Sequence, residues 1–105
     1  MDLLNYLNDS VTPWHAAANL AKQLQLQGFV ELLEAEPWEL ALNSAYFVRR
    51  GAAIFAFRTP CKWTAKTRFR LTSAHTDFPA LKITPNPDKN VAGFHLIHPE
   101  VYGGA

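Results

Sequence analysis

At Ser44 the hydrophobic period of the chain changes from about 3.6 residues to two, and a chain that switches in this way folds as helices followed by strands. Upstream, Leu3, Leu4 and Leu7 recur at helical spacing, which predicts a short amphipathic opening helix interrupted by Asn8-Asp9-Ser10. Thr12-Pro13 restarts the helix: the threonine hydroxyl can cap exposed N–H groups, and a proline at the first helical position gives up only a donor that had no partner. The second helix is expected over about Pro13 to Gln27, with Trp14, Ala17, Ala18, Ala21 and Leu24 on its buried stripe and Gly28 as a left-handed cap. Phe29 to Leu42 mixes Leu32, Leu33, Trp38 and Leu40 with carboxylates and a proline, so it reads as an irregular connection with one helical turn, its tryptophan sealing a core edge.

Downstream, Tyr46-Phe47-Val48 and Ala53-Ile54-Phe55-Ala56-Phe57 flank Arg49-Arg50-Gly51 and predict a hairpin. Phe69 to Ala74 alternates as a third strand, and Leu81 to Thr84 as a fourth, ended by Pro85 and Pro87 with a turn over Asn86 to Asn90. Phe94 to His98 and Val101-Tyr102 are further short strands. The fold class is therefore α/β, with N-terminal helices followed by strands of a mixed sheet. Two helices cannot cover both faces of such a sheet, and Gly103-Gly104 is a pair that ordinarily introduces more structure, so further chain is expected to complete the domain.

Composition narrows the function classes. Hydrophobic residues at 49% with 18% charged place the chain among globular proteins. A net charge of +1 offers no basic stripe for a phosphate backbone, which makes nucleic acid a poor partner. Arg49, Arg50, Arg58, Lys62, Lys66, Arg68 and Arg70 read as the solvent side of strands and loops. The lone Cys61 excludes an internal disulfide and fits a reducing compartment, so the cytoplasm is the default location. The acidic, weakly apolar opening residues lead one to expect no signal peptide, no apolar run approaches ~18 residues, and no membrane partner is expected.

Chemistry concentrates at His75-Thr76-Asp77, where an apolar strand gives out ahead of Pro79. A neutral imidazole can offer its lone pair to zinc while a carboxylate two residues on accepts the other ring N–H and fixes the tautomer. That is half of a metal site, since catalytic zinc takes at least three protein ligands and an open position. The same residues also read as a polar pair at a strand end, and on the motif alone both readings stand. The ends of strands favour the metal, because active groups of open α/β sheets gather there. His95 and His98 are three apart, on opposite faces of a strand, and His15 sits on the first turn of a helix, so none of these is a natural second ligand. No H-E-x-x-H, G-x-S-x-G, G-x-G-x-x-G or phosphate loop appears.

Four ordered blocks span the chain: Leu7 to Ala16, Tyr46-Phe47-Val48, Ser73 to Ile83 with Pro85-Asn86-Pro87, and Glu100 to Gly104. In order and spacing they resemble the start of the aspartyl aminopeptidase family of zinc metallopeptidases. The resemblance implies a cytosolic exopeptidase, built on a zinc-peptidase α/β sandwich, that removes an N-terminal, often acidic, residue from peptides using two zinc ions. It makes His75 a zinc ligand and Asp77 the catalytic-site carboxylate that orients it, and it puts the remaining ligands and the general base in later family segments. It further implies that residues 1–85 begin the peptidase domain, that 86–105 open an inserted dimerisation domain, and that the complete protein is a homo-oligomer. Where the family pattern has Ser then Pro-Cys after His-Thr-Asp, this chain has Phe78, Pro79 and Ala80, which bears on substrate preference; Pro13-Trp14-His15 replaces the family's Pro-Phe-His. The expectation is thus part of a di-zinc aminopeptidase, inactive as a 105-residue segment. The rival is a truncated assembly module that pairs with full-length subunits without turning over substrate.

Overall fold

The computed structural model describes residues 2–104. Two helices, α1 (Leu3–Asp9) and α2 (Pro13–Leu26), precede five strands: β1 (Val30–Glu31), β2 (Ala45–Arg50), β3 (Ala53–Arg58), β4 (Ala80–Val91) and β5 (Phe94–Tyr102). The first three strands form one sheet in the order β1-β2-β3, with β1 parallel and β3 antiparallel to β2, so the sheet is mixed; its parallel member lies in the stretch Phe29 to Leu42, where the sequence pattern predicts an irregular connection.

Local chemistry sets the helix ends. Asp2 caps α1 by accepting the Asn5 N–H at 2.8 Å, and Thr12 Oγ1 accepts the His15 N–H at 3.3 Å at the head of α2. Past α2 the chain turns through Gly28 at φ +80°, a conformation that costs a side-chain-bearing residue more. The helix presents Ala16, Ala17 and Ala21 as its buried stripe, and the strand side of the core is Tyr46, Phe47 and Val48, with Phe47 wholly enclosed. Small residues on α2 let its backbone lie close to the sheet. Because successive strand residues point to opposite faces, burial of three in a row means that β2 is covered on both. Part of that cover is aromatic: Tyr46 and Trp38 both pack on Phe57, at centroid distances of 5.6 and 6.5 Å, which gives Trp38 its place at the core edge. The connection after β1 is further tied by the buried Thr59, whose hydroxyl accepts the Ser44 N–H at 2.8 Å and donates to the Ala41 carbonyl at 2.7 Å.

The structure corrects the sequence reading in further places, and it joins the two short strands expected over Phe94 to His98 and Val101-Tyr102 into the single β5. Trp14 is 63% exposed rather than buried, its indole lying beside the Gly51 turn at the end of the sheet instead of over the sheet's face. Phe69 to Ala74 is not a strand: a strand exists through its ladder, and among the described residues nothing hydrogen-bonds beside this segment, which leaves Phe69 and Leu71 exposed. Finally, Asn86 to Asn90 is not a turn. β4 runs on through Pro85 and Pro87, and a break in register between Ile83 and Asp88 absorbs them. The reversal comes later, at Ala92 (φ +49°) and Gly93 (φ +83°), two positive φ values in a row as in the mirror-image turns that match hairpin twist. β4 and β5 therefore form one long antiparallel arm, separate from the three-stranded sheet.

Candidate metal and substrate site

The segment that carries His75 is held to the sheet by Thr76, whose Oγ1–H donates to the Ala52 carbonyl in the β2–β3 turn at 2.9 Å. On either side of that anchor, His75 and Asp77 turn toward each other, with Nδ1 of His75 3.0 Å from Oδ1 of Asp77. A carboxylate has no proton to give, so the ring N–H at Nδ1 is the donor and the lone pair of the neutral imidazole sits on Nε2. The His75 side chain is 89% exposed, so Nε2 is open to an incoming ion.

The second carboxylate oxygen of Asp77 is also used. Tyr102, at the end of β5, donates its O–H to Oδ2 at 3.1 Å. The two donors, His75 first and Tyr102 second, hold the Asp77 carboxyl below its ordinary value, and the same carboxylate pushes the Tyr102 phenol up. Asp77 is thus kept ionised and acceptor-only, the state in which it fixes the His75 tautomer. The residue pair read from the sequence is brought together as read; Tyr102 was missed, because its only trace in the sequence is membership of the Glu100 to Gly104 block.

Beside this pair lies an open cavity of about 590 Å³, walled by Trp14, Asp77, Phe78, Leu81, Lys82 and Tyr102 among others. It is largely apolar, with Asp77 and Lys82 as its charged groups. Phe78, one of the departures from the family pattern, is one of its walls.

The other histidines stand apart. His15 Nδ1 is 2.7 Å from Thr12 Oγ1 at the head of α2, and His95 and His98 are exposed on the β5 arm. Among the described residues no group of three or more His, Cys, Asp or Glu side chains converges. The chemistry of the donor set fits one ligand of a zinc centre, with its tautomer fixed, and the rest of the coordination sphere has to come from elsewhere.

Residues 6–105 match the family model described as aminopeptidase I zinc metalloprotease (M18). Among similar curated proteins, a probable M18 family aminopeptidase 2 of Stutzerimonas stutzeri is 44% identical over 104 residues, covering 98% of this chain and 24% of that protein. One of the same name from Streptomyces coelicolor is 41% identical over 103 residues, with the same coverage of each. A chain in the cryo-EM structure of the Ape4 and Nbr1 complex superposes with a TM-score of 0.83 at 36% identity, over 96% of this chain and 20% of that one. The chain thus spans about a quarter of the length of the curated relatives it matches.

Proposed function

This chain belongs to the aminopeptidase I zinc metalloprotease family, and we propose that it forms the N-terminal part of a di-zinc aminopeptidase that releases N-terminal, acidic residues from peptides. The observation that carries the reading is the His75–Asp77 pair: a carboxylate-oriented imidazole with Nε2 open, beside a cavity large enough for a side chain and a scissile amide. His75 holds one zinc through Nε2, and Asp77 keeps the ring turned toward it. When bound, such an ion polarises a peptide carbonyl and lowers the pKa of water. The cavity seats the N-terminal residue of the peptide, with Trp14 and Phe78 as apolar contact surfaces and Lys82 as the group of suitable charge for an acidic end. The peptidase domain covers residues up to Pro85, the boundary falling in the irregular stretch of β4, and the arm beyond it opens a dimerisation unit of a cytoplasmic homo-oligomer.

The test uses two proteins. The full-length polypeptide is expected to bind two zinc ions and hydrolyse aspartyl or glutamyl anilides, and His75→Ala to lose one of the ions and the activity with it. The 105-residue chain is expected to do neither, because one imidazole cannot define a zinc centre. A full-length protein that keeps both zinc ions and its activity after His75→Ala ends the proposal. Full-length subunits that pair with the 105-residue chain, in a protein that never hydrolyses a peptide, would favour the assembly module instead.

A further inference from the structure

Five contacts converge on the point where the β4–β5 arm leaves the body of the molecule and returns to it. Ala80, the first residue of β4, is the register partner of Tyr102, the last of β5. Immediately after, Gly103 takes φ +83° and passes so near Pro79 that a Cβ added there would lie 3.3 Å from the proline Cα. The Lys82 ammonium sits 4.6 Å over the centre of the Tyr102 ring, a cation–π contact that holds the ring in place. The hydroxyl at the far end of that ring donates to Asp77 Oδ2 at 3.1 Å, while Oδ1 of the same carboxylate receives His75 Nδ1–H at 3.0 Å.

We infer that Tyr102 is a positioning residue for the zinc ligand: it locks the Asp77 carboxylate so that His75 presents Nε2 in one orientation. The inference rests on the aminopeptidase reading and adds a residue to it. Its physical basis is rotational. An exposed aspartate held by one hydrogen bond can swing about its side-chain torsions, and an imidazole that follows it loses alignment with the ion; a second donor on the opposite oxygen removes that freedom. Groups one step behind a metal-binding histidine act in this way, and their loss weakens metal binding without removing a ligand. Because Tyr102 stands on the returning strand of the arm, displacement of the arm's base is felt at His75.

The experiment is a zinc affinity measurement by chelator competition on the full-length protein. Tyr102→Phe keeps the ring over Lys82 and deletes only the donor, and is expected to weaken zinc about 10-fold, the lower end of the range for residues behind a ligand. In an Asp77→Asn background the same change is expected to add nothing, since its route runs through that carboxylate. A merely structural tyrosine would give additive losses in the two backgrounds. Zinc affinity within about twofold of wild type in Tyr102→Phe, or additivity in the double variant, overturns the inference. Should Tyr102→Phe not fold, Lys82→Met puts the same question by freeing the ring: weaker zinc supports the role and unchanged zinc overturns it. If His75→Ala leaves zinc affinity at the wild-type value, the aminopeptidase reading has itself failed and takes this role with it; if only Tyr102→Phe is silent, that reading stands.

Discussion

Asp77 performs two electrostatic tasks at once, and they can be separated by pH. Its carboxyl lies below the ordinary value of 3.8, so its bonds to His75 and Tyr102 contribute fully above that value and fade as the pH falls through the lowered one. Tyr102 lies above its ordinary value of 10.0, so the neutral phenol is favoured by folding, and that contribution is lost as the pH rises through the raised value. In the metal-free protein, the difference in thermal midpoint between wild type and Tyr102→Phe is therefore expected to be widest near neutrality and to close toward strong acid and strong alkali. Both side chains meet solvent, so the difference is small, and a pH-independent one would contradict the assignment. At the proposed zinc site, Asp77→Asn is expected to lower affinity by about 10- to 100-fold, since an amide can turn its NH₂ toward the ring and spoil the tautomer. The His75–Asp77 pair was legible in the sequence because its partners are two residues apart. Tyr102 was not, since its contact spans 25 residues and depends on a hairpin whose turn the prolines obscured.

Elements were legible where a residue carries its own local reason. Thr12-Pro13 starts α2 and Gly28 follows its end, each for steric or hydrogen-bonding reasons that need no distant partner. Phe69 to Ala74 has the right alternation and no ladder, because pairing is a property of two segments and only one is present among the described residues. The β4–β5 turn went unread for a related reason: Ala92 bears no turn signal, and its φ of +49° is imposed by the strands on either side. That conformation is costly for alanine, so Ala92→Gly is expected to stabilise the hairpin by up to about 1 kcal/mol, read as a rise in the denaturation midpoint of the full-length protein. Thr59 gives the opposite case. Its buried hydroxyl both accepts from Ser44 and donates to Ala41, and Thr59→Val leaves both backbone groups without a partner; destabilisation of about 1–3 kcal/mol is expected in urea unfolding.

At the scale of the whole molecule, the 105 residues expose far more surface than their mass requires. A compact monomer of this size presents about 5,900 Å² and has a radius of gyration near 13 Å, whereas this chain presents 8935 Å² with a radius of 20.0 Å. The excess is roughly 3,000 Å², and it is apolar where it matters. Phe69 and Leu71 lie open to solvent, and Leu81, Ile83, Phe94, Ile97 and Val101 line an arm whose two faces both meet solvent. A two-stranded ribbon with no third layer is marginal in water, because its ladder bonds compete with solvent and its side chains bury little. Hydrogen exchange on the 105-residue polypeptide is therefore expected to split in two, with slow amides in α2, β2 and β3 around Phe47 and fast amides from Ala80 to Tyr102. The same polypeptide is expected to self-associate in sedimentation, through the apolar surface left open on the arm. In the full-length protein the arm amides should become slow, since every apolar residue named above would then have a partner. A monodisperse 105-residue monomer with a protected arm would show that the hairpin is stable by itself, and the surface would then need another explanation.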